Sequence, residues 1–423
     1  MTLHAFSGGA GCGKTHQLMA QLAEHLREHP LREGQKVMAL TFMHGSRRRL
    51  DERLSAAKLP GRAYECSTID SFAGRIARRW QSLLGVLGIA VLAVGDYAGT
   101  CAAAATLLAQ EGVSAWVARS YPVIILDEAQ DLNPARLDIL SALAPHVALF
   151  AAADEFQCLD EALRPSPACA WLAQAERLTE LTLPRRTNVP SLLAAAAALR
   201  AGAAPVSEGA FLVKEGFRVA LAATFLANEL GWYGGRKSVA VITPSGGKFA
   251  TDVVDWVAQR TTKQNNGPFS IRWERSEDKM QNDFLAKLAP EPHMSLIEAK
   301  TMVGNAGDQR VLGDVADYLD RQRRAKGRNL FTALEIEAVI RQSFANRRRF
   351  GTDNLRGHRA MTVHGAKNRE FDNVVVLWPA AIKGDAEHKR RLLYNATTRA
   401  KSRCLVLVQS RDALTKPPFV AEN

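Results

Sequence analysis

The chain has 423 residues, 47% apolar and 23% charged, with 55 basic against 43 acidic side chains and a net charge of +12. This ordinary globular composition has length for about two to four domains at roughly 100–200 residues each, and it excludes a disordered or fibrous protein. A basic excess of this size makes a polyanion a partner to expect, nucleic acid ahead of a membrane.

In chain order, Leu3–Phe6 reads as a short strand that runs into Gly8-Gly9-Ala10-Gly11-Cys12-Gly13-Lys14-Thr15, and Gln17–Arg27 then reads as a helix. Strand, G-x-x-x-x-G-K-[ST] and helix in that order make a phosphate-binding loop. Its glycines let backbone N–H groups turn toward phosphate oxygens, and the helix N-terminus adds its dipole. Lys14 is expected to reach the β- and γ-phosphates and Thr15 to ligate Mg²⁺.

Further apolar, strand-length runs follow at Val37–Phe42, Val123–Leu126, Val147–Ala151, Val239–Ile242, Val374–Trp378 and Leu405–Val408. Helical stretches separate most of them, a pattern that predicts parallel sheets covered on both faces. The strands fall into two sets about residue 185, so two α/β domains are expected. Ala73–Ser120 reads as a largely helical insertion in the first, and a basic helical stretch from Ser276 to about Arg359 as an insertion in the second. Leu192–Ala204 reads as a buried alanine-rich helix.

The run Val123–Leu126 ends in Asp127-Glu128-Ala129-Gln130-Asp131. Asp127, at the strand's end, would hold Mg²⁺ through water, and Glu128 would act as general base on the attacking water. No membrane span is visible, because the longest mostly apolar stretch, Leu83–Gly95, falls short of the roughly 20 residues a spanning helix needs. No signal peptide is visible either. The six cysteines (Cys12, Cys66, Cys101, Cys158, Cys169, Cys404) form no CxxC pair, which argues against a zinc site or a disulfide framework and predicts a reducing cytoplasmic setting.

With DEAQD, the sequence resembles superfamily 1 helicases of the UvrD/PcrA/Rep type, and further segments match in order. Ala39–Phe42 with Arg47–Leu54 is similar to LTFTNxAAxxMxxRL, Ser67–Phe72 to TFHSF, Ala153–Gln157 to GDxxQ and Leu181–Thr187 to LxxNYRS. Met361–Asp372 is similar to MTIHSAKGLEFD, and Arg391–Lys401 to RRLLYVAxTRA.

The resemblance implies an α/β fold of two RecA-like P-loop NTPase domains. The first spans 1–183 with its insertion at about 73–120, and the second spans 184–423 with its insertion at about 276–359. ATP and Mg²⁺ would bind between them. It implies Glu128, Gln157, Arg186 and Arg399 as catalytic, Gln157 sensing the γ-phosphate and the two arginines acting as fingers. Gly8, Gly11, Cys12, Gly13, Lys14, Thr15, His16, Arg185 and Glu370 would bind nucleotide, Glu370 through the ribose, while Thr15 and Asp127 would hold the metal. Thr41, Phe42, Ser71, Phe72, Thr362 and His364 would line a single-strand track, with core packing the alternative for the two phenylalanines and a loop role the alternative for His364.

Four departures stand out. Only seven residues precede Gly8, so the family's N-terminal glutamine motif is missing and relaxed base selectivity is expected. Arg185 replaces the tyrosine that stacks on adenine, a role a guanidinium can also fill. Cys158–Ala162 replaces a segment with a base-stacking aromatic, and Asn368-Arg369 replaces Gly-Leu.

The expected activity is an ATP-driven single-stranded DNA translocase or helicase moving 3′ to 5′, with RNA left open. The alternative is a strand-stimulated ATPase switch subunit of a repair or anti-mobile-DNA nuclease complex, its nuclease supplied by a partner. Basic clusters at Arg47–Arg49, Arg75/Arg78/Arg79, Arg321–Arg328 and Arg347–Arg349 suit phosphate contact, or equally a solvated helix face.

Overall fold

The computed structural model describes residues 3–42, 44–57, 59, 63–90, 96–232, 238–274, 277–350 and 358–421. The chain divides into two compact units. One comprises 1–69, 108–274 and 355–423, and the other 70–107 and 275–354.

The first unit contains two six-stranded sheets. One is built from β1 (Leu3–Gly8), β2 (Val37–Thr41), β3 (Tyr64–Thr68), β4 (Val123–Asp127), β5 (Ala148–Ala153) and β6 (Arg177–Leu181), in the spatial order β3-β2-β4-β5-β1-β6. All its pairings are parallel. β2 and β4 are buried along their whole length, as continuous apolar runs inside a covered parallel sheet should be.

The other sheet follows β7 (Phe211–Glu215), β8 (Val239–Thr243) and β9 (Ile271–Trp273) with strands numbered later in the chain. These are β12 (His358–Thr362), β13 (Phe371–Trp378) and β14 (Ala400–Val408). Its order is β7-β14-β13-β8-β12-β9, again parallel throughout. Cores lie on both of its faces, one around Trp378, Leu393 and Phe211, the other around Val241, Val253 and Leu226. Two parallel sheets flanked by helices, the first opening with a phosphate loop, are two RecA-like α/β domains.

The second unit is mainly helical. Between β9 and β12 it holds β10 (His293–Ser295) and β11 (Leu330–Thr332), paired antiparallel, and helices packed on a core of Phe284, Val303, Leu319, Phe331 and Phe344. Its earlier segment, 70–107, is largely helical where described. The helix Glu111–Ser120 belongs to the first unit, where Val113 and Val117 are buried just ahead of β4.

Candidate nucleotide site

The site lies at the C-terminal ends of β1, β4 and β5, where parallel α/β sheets place their ligands. β1 passes into the loop Gly8–Gly13, and the helix Lys14–Glu28 starts at its end. Gly11 and Gly13 have φ of +79° and +84°, so the loop needs residues without a Cβ. A second constraint acts at the same two positions. A Cβ on Gly11 would lie 2.7 Å from the Cβ of Arg186, and one on Gly13 would lie 2.9 Å from Cδ of Arg185. The segment after β6 therefore runs directly over the loop, and the Arg185 N–H donates to the Gly11 carbonyl at 2.7 Å.

Lys14 is buried and donates from Nζ to the carbonyls of Gly8 (2.8 Å) and Gly9 (3.0 Å). Thr15 Oγ1 donates to Asp127 Oδ2 at 2.9 Å, a hydroxyl and a carboxylate side by side. Burial, with Glu128 adjacent, pushes the Asp127 carboxyl up to about 6, against the pull of Thr15 and Lys14. That pocket suits a divalent cation, whose charge would reverse the shift. Among the described residues, no group of three or more His, Cys, Asp or Glu could hold a metal by itself.

Glu128 has a left-handed backbone, φ +61°, a strained setting for a non-glycine residue and common at functional positions. Gln130 Nε2 donates to its Oε2 at 2.6 Å, while Gln130 Oε1 accepts the Asp154 N–H at 3.0 Å. Gln157 sits in a short 3-10 turn after β5, is buried, and donates to Asp154 Oδ2 at 2.7 Å.

Side chains that follow β6 and the helix Ala386–Thr397, which precedes β14, meet this cluster. Arg399 is 1% exposed and donates from Nη2 to Gln157 Oε1 at 2.8 Å and from Nε to the Asn395 carbonyl at 3.0 Å. Burial and the nearby Arg186 hold its guanidinium below the ordinary arginine range. Arg186 donates to Glu370 Oε1 (3.0 Å) and to the Thr398 carbonyl (2.8 Å). Glu370 also pairs with Lys401 at 3.2 Å, so both its oxygens have cationic partners. Arg49 faces the charges of Glu370, Arg186 and Glu128 and belongs to this cluster electrostatically.

A family model described as an AAA domain matches residues 2–162, and one described as a UvrD-like helicase C-terminal domain matches residues 357–407. Over residues 357–407 the chain is similar to UvrD-like helicases. No curated protein matches it in sequence. Two solved structures of Arterivirus nonstructural protein 10 (helicase), one of them a complex with DNA, align over 98% of this chain. Their identities are 10% and 9%, each with a TM-score of 0.39. The chain spans 62% and 63% of the length of those two.

One departure from the pattern that the sequence resembles has a direct physical account. Asn368 stands where the family has glycine and has φ +62°. Asparagine is the non-glycine residue that best tolerates this region, while a β-branched residue there costs about 1–2 kcal/mol. An Asn368→Val chain should be less stable than Asn368→Gly by about that much, as read by equilibrium unfolding in urea. Arg185 is exposed and its stem packs at Gly13, beside the loop. Cys158 and Leu159 are buried, and the adjacent Phe156 packs edge-on against Tyr394 at 5.0 Å, so no aromatic ring is free at this turn.

The remaining sequence candidates are dispersed. Thr41 and Phe72 are buried, with 0% and 1% of their surface exposed, too little for either to meet a base in this conformation. The burial of Phe72 is that of a core residue. Phe42 and Ser71 are half-buried, and the Arg136 guanidinium covers the Phe42 ring at 5.1 Å. Thr362 caps the helix Val363–Ala366, accepting the Gly365 N–H at 3.2 Å, while His364 and His16 are exposed. The side chains of Arg48, Lys326 and Arg347–Arg349 lie outside the described residues, as do positions 275–276 and 351–357 of the second insertion.

Sequence reasoning missed three features. Lys367 donates to both oxygens of Asp131 at 2.8 Å, a buried pair that ties DEAQD to the segment after β12. Arg391, also buried, donates to the carbonyls of Glu155 and Cys158 and so clasps the turn that carries Gln157. Asp154 and Tyr394 lie within the quoted motifs, but only the fold brings them together with Arg200 (3.4 Å between Asp154 Oδ2 and Tyr394 Oη).

Proposed function

We propose that this chain is an ATP-driven translocase or helicase acting on single-stranded DNA and moving 3′ to 5′, with nucleotide held between RecA-like domains that meet near residues 183 and 184. The observation that carries the reading is the direct hydrogen bond from Arg399 to Gln157, formed beside the phosphate loop and the Asp127–Glu128 pair. A phosphate-facing glutamine bonded to an arginine from the opposite sheet gives a route for phosphate state to alter the contact between the sheets.

In this reading Lys14 and the loop amides bind the β- and γ-phosphates, Thr15 and Asp127 hold Mg²⁺, and Glu128 takes the proton of the attacking water. Mg²⁺ supplies neutralisation of charge on the phosphate oxygens. Arg186 and Arg399 offset charge on the transferring phosphoryl group, the role of an arginine finger. The ribose would share Glu370 with Arg186 and Lys401, and Arg185 would lie beside the base. The exposed Arg78, Arg79, Arg321, Arg323 and Arg324 favour a phosphate backbone as partner. A cytoplasmic location goes with the free cysteines.

The test is ATP turnover with and without single-stranded DNA or RNA at two salt concentrations. Turnover should rise with a single strand, and the strand concentration needed should rise with salt. Equal turnover with and without a strand defeats the motor reading.

The second reading, a strand-stimulated switch subunit for a partner nuclease with little unwinding of its own, is favoured by the buried Cys158–Leu159 at the position of the family's gripping aromatic. Base stacking is worth about 1–3 kcal/mol per base, and its loss weakens the grip on a strand. Strand displacement on a tailed duplex by the isolated chain separates the two readings.

A further inference from the structure

Asp154 is a fully buried carboxylate that meets two cations. Arg200 Nη1 is 2.7 Å from Oδ1, and Lys14 Nζ is 3.8 Å from Oδ2. Arg200 also donates to Tyr394 Oη at 3.2 Å, and that oxygen accepts the Ala10 N–H of the phosphate loop at 2.8 Å. Arg200 Nη1 lies 3.6 Å from where a Gly9 Cβ would be, so the guanidinium stands over the loop itself. It is the last residue of the helix Pro190–Arg200 and falls in none of the sequence motifs.

A buried carboxylate needs a compensating charge, and in a low-dielectric site the nearer cation takes the larger share. Here the nearer cation is Arg200. Lys14 stands at long range from Asp154, and its short contacts are to two neutral carbonyls. Without Arg200, Lys14 would be the only cation among the described residues left within ion-pair reach of Asp154, drawn in from 3.8 Å.

We propose that Arg200 is a positioning residue of the nucleotide site: by compensating Asp154 it keeps the Lys14 ammonium available to phosphate, and through Tyr394 it fixes the Ala10 amide. The proposal rests on the reading of Lys14 as the phosphate-binding lysine.

The full chain is tested as Arg200→Gln, Arg200→Lys and the double variant Arg200→Gln/Asp154→Asn. Readouts are the Kd for a fluorescent ATP analogue and the KM and kcat of strand-stimulated ATP turnover. R200Q should weaken nucleotide binding about tenfold or more, the scale of one hydrogen bond to a charged group. R200K, which keeps the charge, should stay within about threefold of wild type. Adding D154N to R200Q removes the stranded carboxylate and should restore most of the affinity. A purely structural role predicts losses that add, so a double variant no better than R200Q overturns the proposal. If R200Q alone does not fold, the double variant decides: binding within about threefold of wild type supports the proposal and a tenfold loss overturns it. A wild-type chain that does not bind ATP overturns the functional reading and this proposal with it. A wild-type chain that binds ATP, beside an R200Q chain that binds it equally, overturns this proposal alone.

Discussion

Replacing Glu128 by glutamine should slow ATP turnover by about 10²–10⁴-fold, the range a general base contributes, while leaving ATP and single-strand binding near wild type. The substitution keeps the side chain's size and an oxygen that can still accept from Gln130 Nε2, so the link from Gln130 to the Asp154 amide survives. Only the capacity to take a proton is lost. The left-handed backbone at Glu128 is unchanged, because glutamine meets the same steric demand there. Turnover measured with saturating single-stranded DNA, beside equilibrium binding of an ATP analogue, checks this. An E128Q chain with wild-type turnover would remove Glu128 from the role of base.

The Arg399→Ala change should cost about 10³-fold or more in turnover, the lower end of what an arginine finger supplies. It also has a stability component. Arg399 is fully buried, and removing it leaves Gln157 Oε1 without that donor, worth about 1–3 kcal/mol. The two effects separate experimentally, since thermal unfolding gives the stability loss and turnover per folded molecule gives the catalytic one. Lysine at the same position keeps the charge and loses the planar fork that bonds both Gln157 and the Asn395 carbonyl, so Arg399→Lys should recover little. If R399A lowers the melting temperature while folded protein keeps its turnover, Arg399 is a structural residue.

What was legible in the sequence was local. The phosphate loop, Asp127–Glu128 and the long segment Met361–Lys401 carry their chemistry within a dozen residues each, and the buried central strands β2, β4, β8 and β13 are continuous apolar runs. β6 was not legible because it is an edge strand with exposed and polar positions, and β9 has only three residues. Lys367 and Asp131 lie 236 positions apart, and nothing in either neighbourhood announces the other. Arg200 is one arginine at the end of an alanine-rich helix, and only the folded chain brings it to Asp154. Phe42 and Phe72 show a further limit. A phenylalanine reads the same whether it is buried, covered by an arginine or offered to a base.

The order of strands in the second sheet dictates when that domain can form. β7, β8 and β9 come early in the chain, yet no two of them are neighbours, because β14 and β13 separate the first pair and β12 the second. Every ladder in the sheet therefore waits for residues 358–408. During synthesis the three early strands leave the ribosome before any of their partners, and each ladder closes over long-range contacts, the slow kind of folding. A chain stopped before residue 358 would carry the residues of β7, β8 and β9 and still lack every strand they pair with in the second sheet.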